Sequence, residues 1–467
     1  AASAAGGAAR CAAGLCVAAG AERCTASVAT LQAALKDGGE EVEVLLALLC
    51  LGELGRRVDV TTAAAEAVAA ELTTDRASES VKAAASFALG GIAAGNPAAY
   101  LPFIFQRVGD DAKLNYLLLQ ALREVIMSQS SVQGPAPAAV AGEPDDATPP
   151  LSEVDVQSAL QLLLRMCESE EEGVRNVVAE CLGKLGLLAP DTVMPVLATN
   201  AGASQAALRY AAASASRYVF VDRATLADAQ IEANAPTLLG LMGDDDRHVR
   251  RAAVLALSSA AHNKSAMTLA LLPSLLPTLY EQTVIRKDMI RIVDLGPFKH
   301  TIDDGLELRK ASFECLDTLL ASPTLAALLE PAPLLQALAS ALDDAHEIKL
   351  FAHITLERLA RTRPADVAEA LPSLCEPLGK TFAARLKSDA VKQEVDRHED
   401  MLNGAARCVA AIECIDDLVC TEFTEMVTKA QKNAAVAPRI QQARQALADG
   451  SASRAGGDSA SAMDTDN

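Results

Sequence analysis

A chain of 467 residues is too long for one ordinary hydrophobic core, so its burial must be shared among several domains or a stack of repeats. It is 51% hydrophobic but only 3% aromatic with no Trp, and Ala and Leu dominate, which favours close-packed helices over strands. A net charge of −20 argues against contact with phosphate backbones, and no apolar run reaches the roughly 18 uninterrupted residues that span a bilayer, so the composition predicts a soluble all-α protein with neither a nucleic-acid nor a membrane partner.

The acidic balance suits a protein partner with basic surface, although it is also an ordinary way to keep a large helical protein in solution. Position 1 is Ala, and the opening segment carries Arg10, Glu22 and Arg23 without the layout of a secretory signal, so we expect a chain that starts inside a longer protein. Eleven Cys, an odd number without C-x-x-C pairs, predict a reducing compartment, nucleus and cytoplasm. Cys408, Cys414 and Cys420 are spaced by six, which turns successive thiols away from one helical face and gives no reason to expect a metal.

Along the chain a unit recurs: an apolar helix, a short acidic turn, then a second helix that opens with a branched or Leu residue and a cation. Copies begin at Val81-Lys82, at Val174-Arg175 after Glu170-Glu171-Glu172, at Val249-Arg250 after Asp244-Asp245-Asp246, and at Leu308-Arg309, Ile348-Lys349 and Val391-Lys392. Turn carboxylates are expected to cap the second helix, and the cation to reach turn carboxylates between stacked units. From Arg309 to Lys349 is 40 residues and from Lys349 to Lys392 is 43, the period of HEAT-type helix pairs. The 75 residues from Arg175 to Arg250 hold two units, with a degenerate copy around Ala206 to Tyr218. The 93 from Lys82 to Arg175 hold two units plus a Pro, Ala and Gly-rich run, Gln133 to Pro150, expected as a flexible loop. Such units bury their apolar faces only by stacking, and what a stack offers is a long surface. The expected organisation is HEAT repeats over 1–132, the loop at 133–150, HEAT repeats over 151–284, a C-terminal region over 285–432, and a disordered Ser, Ala, Gly and Asp tail over 450–467.

The 59 residues from Arg250 to Arg309 are too many for one unit and too few for two. The surplus, Val284 to Ile302, mixes Ile290, Ile292, Leu295, Phe298 and Ile302 with charges around Gly296-Pro297. Two readings fit equally: a short β-hairpin or flap with Phe298 near its tip, or a kinked helix with Phe298 in the core.

The string G-P-F-K-H-T-I-D-D-G-L-E-L-R-K-A-S-F-E-C-L from Gly296 to Leu316 resembles the C-terminal region of the cullin-associated, neddylation-dissociated family, also known as the TATA-binding-protein-interacting domain. Leu51 to Gly55, Val81 to Gly90, Leu114 to Leu119, Val174 to Leu185, Ala260 to Lys264, Val391 to Glu394 and Met463 to Thr465 fall in the family's order, while 133–150 and Ala203 to Asp228 depart from it. The resemblance implies the C-terminal portion of a HEAT superhelix that clamps a cullin carrying its RING subunit. A hairpin on Ile290 to Ile302 would cover the surface used by the substrate adaptor, so that one adaptor is exchanged for another without covalent chemistry. Ile292, Val293, Leu295, Gly296, Pro297, Phe298, Lys299, His300 and Thr301 are then the protein-binding residues, and TATA-binding protein is a further partner to consider. A different HEAT scaffold would share the fold but leaves the insertion unexplained.

No catalytic residue, cofactor or metal is expected. The six His form no H-E-x-x-H, and His346 and His353 share one helical face at most. There is no G-x-S-x-G and no phosphate-binding glycine loop; Gly90-Gly91 and Gly95 read as a helix-to-helix turn. Asp303-Asp304 and Asp343-Asp344 read as caps in repeat turns.

Overall fold

A computed structural model describes residues 2–37, 39–132, 149–295, 298–386 and 390–460. Among them lie twenty-two α-helices and one two-stranded sheet, a HEAT-repeat solenoid architecture as expected. The chain divides into two compact units, Ala1–Leu241 and Met242–Asn467.

In the first unit, α1 (Ala2–Ala18), α3 (Glu41–Gly55), α5 (Glu79–Gly95), α7 (Ala112–Val132), α9 (Glu172–Leu188) and α11 (Ala206–Val219) pack each on the next to form one layer. The second layer comprises α2 (Ala21–Asp37), α4 (Thr62–Thr73), α6 (Pro97–Phe105), α8 (Glu153–Met166), α10 (Pro190–Ala201) and α12 (Asp228–Gly240). The second unit repeats the plan: α13 (Arg247–Asn263), α15 (Leu306–Ala321), α18 (His346–Thr362), α20 (Lys392–Ile412) and α22 (Ala437–Ala460) form one layer. The other holds α14 (Ser265–Glu281), the short α16 (Pro323–Ala326), α17 (Pro331–Ala341), α19 (Pro364–Ala383) and α21 (Thr421–Gln431).

Side-chain hydrogen bonds between successive units span close to one period. Ser78 to Glu41 and Gln205 to Glu168 each span 37 residues, Thr192 to Glu153 and Gln230 to Asp191 span 39, and Arg107 to Glu66 spans 41. The degenerate copy at Ala206 to Tyr218 is α11, a helix like its neighbours.

The glycines expected in a turn lie inside α5 instead. A Cβ on Gly91 would sit 2.5 Å from the Gly52 carbonyl oxygen, and one on Gly95 would sit 1.9 Å from that of Gly55. The backbones of α3 and α5 therefore touch, which only residues without a side chain allow; the cost in helix propensity, about 1 kcal/mol per Gly, is offset by that contact.

The loop expected at 133–150 lies outside the described residues except for Pro149 and Pro150, where the Pro149 carbonyl accepts from Gln129 Nε2 at 2.7 Å. The tail expected from Gly450 meets helical backbone as far as Ala460, because α22 is anchored upstream by buried Ile440 and Ala443 and its Ala-rich continuation propagates cheaply; 461–467 lie outside the described residues.

The close crossing yields a test against intrinsic propensity. Gly91→Ala should destabilise the protein by about 1 to 3 kcal/mol in urea melts, although Ala is the better helix former. A gain in stability would mean that the helices do not touch there.

Candidate functional site

The inserted stretch is a hairpin. Strands β1 (Ile290–Leu295) and β2 (Phe298–Asp303) pair antiparallel, with Ile290 opposite Asp303, Ile292 opposite Thr301, Val293 opposite His300 and Leu295 opposite Phe298. The connecting Gly296 and Pro297 lie outside the described residues, and Leu295, Phe298, Lys299 and His300 are described as backbone only. Of the two sequence readings the kinked helix is therefore wrong: alternating β-branched residues on both sides of Gly-Pro favour paired strands over a helix that a Pro would break.

Each strand packs extensively only on the other among the described residues. Ile292 is 67% exposed and Thr301 is exposed, while Val293 is half-buried. Exposed Val284 and Ile285 lie on the approach to β1. Exposed apolar side chains thus stand on the hairpin and on the segment that leads into it.

The root of the hairpin is tied down by charge. Arg309, the fourth residue of α15, donates Nη2 to Asp303 Oδ2 at 2.7 Å and Nη1 to Asp303 Oδ1 at 3.2 Å. The same guanidinium donates Nε to Asp344 Oδ2 and Nη2 to Asp344 Oδ1, both at 2.8 Å, joining the end of β2 to the turn before α18. Its side chain is 3% exposed and that of Asp344 is 4%. Next door, Asp304 accepts from Arg291 of β1 at 2.8 Å and pairs with Arg247 of α13 at 3.1 Å. A backbone bond from Asp304 N–H to the Met289 carbonyl closes the base.

Burial works against the Arg309 charge, but hydrogen bonds to Asp344 and Asp303 overcome it and raise its pKa. The Arg309 hydrogen bonds hold Asp303 below the usual carboxylate range, and the hydrogen bond from Arg291 does the same for Asp304. The expectation that these aspartate pairs cap helices is thereby corrected. Asp303 and Asp304 are hairpin anchors, although the Gly305 N–H also bonds Asp303 Oδ1; Asp344 is a buried counter-ion, and Asp343 pairs with Lys380 at 2.7 Å. Capping by a turn carboxylate holds at Asp246, which accepts from the N–H groups of His248 and Val249.

The sequence contained a signal for this brace that spacing alone did not reveal. Arg175, Arg209 and Arg250 are each the fourth residue of their helix, and each donates to backbone carbonyls six and five residues back: Ser169 and Glu170, Ala203 and Ser204, Asp244 and Asp245. Each of these cations reaches back to its own turn, whose carbonyls converge within the guanidinium's reach at the helix approach. Six residues before Arg309 stands Asp303, so the same reach meets a carboxylate.

Among the described residues no three His, Cys, Asp or Glu converge as a metal set, and all eleven Cys are unpaired. Cys408 donates to the His353 carbonyl, Cys414 to Ala410 and Cys420 to Glu422, three different partners. His353 is a core residue; burial pushes its imidazole down to about 3, and it stays neutral. No helix among the described residues is long and apolar enough to cross a membrane.

Removing the brace should be costly. Arg309→Met leaves Asp344 buried without its counter-ion and is expected to destabilise the second unit by roughly 3 to 5 kcal/mol; Arg309→Lys, lacking the planar fork, should recover little of it. Because the folded protein depresses Asp303 and Asp304, their contribution is present above the unfolded carboxylate value of about 4 and is lost as pH falls through the lower folded values. Limited proteolysis at the hairpin should therefore be slow from pH 8 to 5 and accelerate below about 4; a rate independent of pH would contradict the brace.

Comparison with known proteins finds relatives over most of the chain. The family model described as TIP120, TATA-binding protein interacting (TIP20), matches residues 267–432, which include the hairpin. The chain is 44% identical over 411 residues to a cullin-associated NEDD8-dissociated protein 1 of Arabidopsis thaliana, covering 87% of this chain and 32% of that protein. It is 36% identical over 388 residues to the Dictyostelium discoideum protein of the same name, covering 82% and 30%. An Emericella nidulans protein named as the C-terminal part of cullin-associated NEDD8-dissociated protein 1 is 31% identical, with 71% and 30% covered. Solved structures of importin beta (TM-score 0.53, 14% identity, 89% of this chain and 53% of that one) and of Kap121p bound to RanGTP (0.56, 11%, 88% and 41%) share the helical-repeat fold. The chain spans about a third of the length of the curated relatives it matches. By these similarities it belongs to the cullin-associated NEDD8-dissociated family and carries that family's TATA-binding-protein-interacting region.

Proposed function

We propose that this chain is a non-catalytic regulator of cullin-RING ubiquitin ligases that binds an unneddylated cullin with its RING subunit and competes with the substrate adaptor. The observation that carries the reading is a hairpin with exposed apolar side chains and an ion-paired root, in a chain 44% identical to a protein named for cullin association and NEDD8 dissociation. A stack of helix pairs presents a long surface rather than a substrate cleft, which suits assembly work better than covalent chemistry. Exchange would follow from overlap: the hairpin and an adaptor want the same face of the cullin, and whichever leaves first yields the site. In this reading Ile292, Val293, Leu295, Phe298, Lys299, His300 and Thr301 make the contact, with Gly296 and Pro297 shaping the turn. The protein works in nucleus and cytoplasm. It acts together with the sequence that precedes it in longer relatives, because two grips on one partner raise the effective concentration of each.

A second reading, binding of TATA-binding protein, is favoured by one observation, the description of the family matched at 267–432.

Size-exclusion chromatography of the chain with an unneddylated cullin carrying its RING subunit, supplemented with the N-terminal portion of a relative, separates the readings. Complex formation that is suppressed by a bound adaptor and weakened at least tenfold by Ile292→Asp is the expected result. Binding indifferent to both changes would sink the competition mechanism, and capture of TATA-binding protein alone would favour the second reading.

A further inference from the structure

Between α17 and α19 of the second unit runs an open groove of about 860 Å³, within the roughly 300 to 1,000 Å³ range of ligand clefts. Its walls are what the two helices turn to each other: Ala332, buried Leu335 and Ala339 from one, Ala370 and Ser373 from the other. Side chains this small do not fill the space between the helices, so an apolar trough stays open from Pro331 to Asp343, roughly 18 Å at the rise of a helix. The edges are acidic. Asp343, Asp366 and Glu369 line the groove, and no Lys or Arg does. Asp343 is paired with Lys380 at 2.7 Å, and Lys380 also holds Glu376 at 3.1 Å. Asp366 and Glu369 stand three apart on α19 and so face the same way, and among the described residues no cation lies within ion-pairing distance of either. Like charges at this spacing repel each other, and a cation arriving from outside relieves the repulsion.

We propose that this groove docks a basic amphipathic segment of a partner protein, whose Lys or Arg heads reach Asp366 and Glu369 while their stems and neighbouring apolar residues lie on Ala332, Leu335 and Ala370. A long cationic side chain suits both parts of the surface, because its aliphatic stem covers apolar area while its head stays at the rim with a carboxylate. An acidic segment would meet three carboxylates instead. The net charge of −20 draws cationic segments toward the protein in general, and the groove adds a place for their stems. It lies in the layer that does not anchor the hairpin, so its occupancy is independent of the partners considered above and its test needs no cullin.

The probe is a fluorescein-labelled peptide of about twelve residues, the length of helix that spans the groove, with Lys on one face and Leu and Ala on the other. Its anisotropy is followed as the whole chain is added at physiological ionic strength. We expect saturable binding that weakens roughly tenfold when Asp366→Asn and Glu369→Gln are combined. Ala370→Leu, which fills the trough and leaves every carboxylate in place, should weaken it as well; Ser373→Leu at the exposed edge replaces it if urea melts show that Ala370→Leu disturbs the fold. Asp396→Asn with Asp400→Asn removes the same charge from exposed positions of α20, in the other layer, and should change the affinity by less than about twofold, since salt screens distant charges. Equal weakening by the α20 pair would reduce the binding to attraction by net charge and overturn the site. Binding unchanged by the groove-filling variant, or no binding to wild type, would overturn it too, and equal binding of the peptide with Glu in place of Lys would overturn the assignment to a cationic segment.

Discussion

The fourth residue of an α-helix lies one turn above the chain that enters it, and a long cation at that point can fold back over the entry. Among the described residues arginine does so four times, and what it finds six residues back determines what it builds. Where backbone carbonyls converge it closes the turn of a helix pair, as at Arg175, Arg209 and Arg250. Where a strand ends there instead, it finds Asp303, and with Asp344 on its other edge it fixes a hairpin to the helical layer. Hydrogen bonds to a charged group contribute about 1.5 to 3 kcal/mol each, so a buried guanidinium serving two carboxylates is a strong fixture for a small element. Arg247 and Arg291 on Asp304 add a second tie from the other side.

That fixture decides how the hairpin can work. A two-stranded ribbon is at best marginally stable alone, and exposed Ile292 and Ile302 would favour collapse onto the nearest apolar surface. Bound at its root on both strands, it can hold those side chains in water. The energy available for partner binding is then not consumed by ordering the ribbon at the moment of contact. The helical layers need no such device, since they bury Leu and Ala against neighbours, and glycine contacts such as Gly52 with Gly91 set how closely adjacent helices of one layer approach.

Much of the fold is legible in the sequence because each repeat uses the same local chemistry. The acidic turn, the branched opening residue and the cation mark second helices at Val174, Val249, Leu308, Ile348 and Val391, and all five lie at helix starts. A 59-residue interval marks the insertion without fixing its form, since Ile-rich segments around Gly-Pro suit either a ribbon or a bent helix; the paired register resolves it. The brace is hidden from spacing for a physical reason. Asp303 and Asp344 are 41 positions apart and become neighbours only through Arg309, and an Asp-Asp pair before a helix looks the same whether it caps the helix or pairs with a cation. The glycines of α5 mislead similarly, because a packed backbone contact and a turn ask for the same residue.

The central claim is that the hairpin, held out from the helical layer, is the element that touches a cullin. A photo-crosslinking amino acid placed at Ile292, with a control at the 94% exposed Val419, tests it in the assembled complex. The account predicts a crosslink to the cullin from position 292 that disappears when adaptor is in excess, and none from position 419. Crosslinks of equal yield from both positions, or from 419 alone, would contradict it.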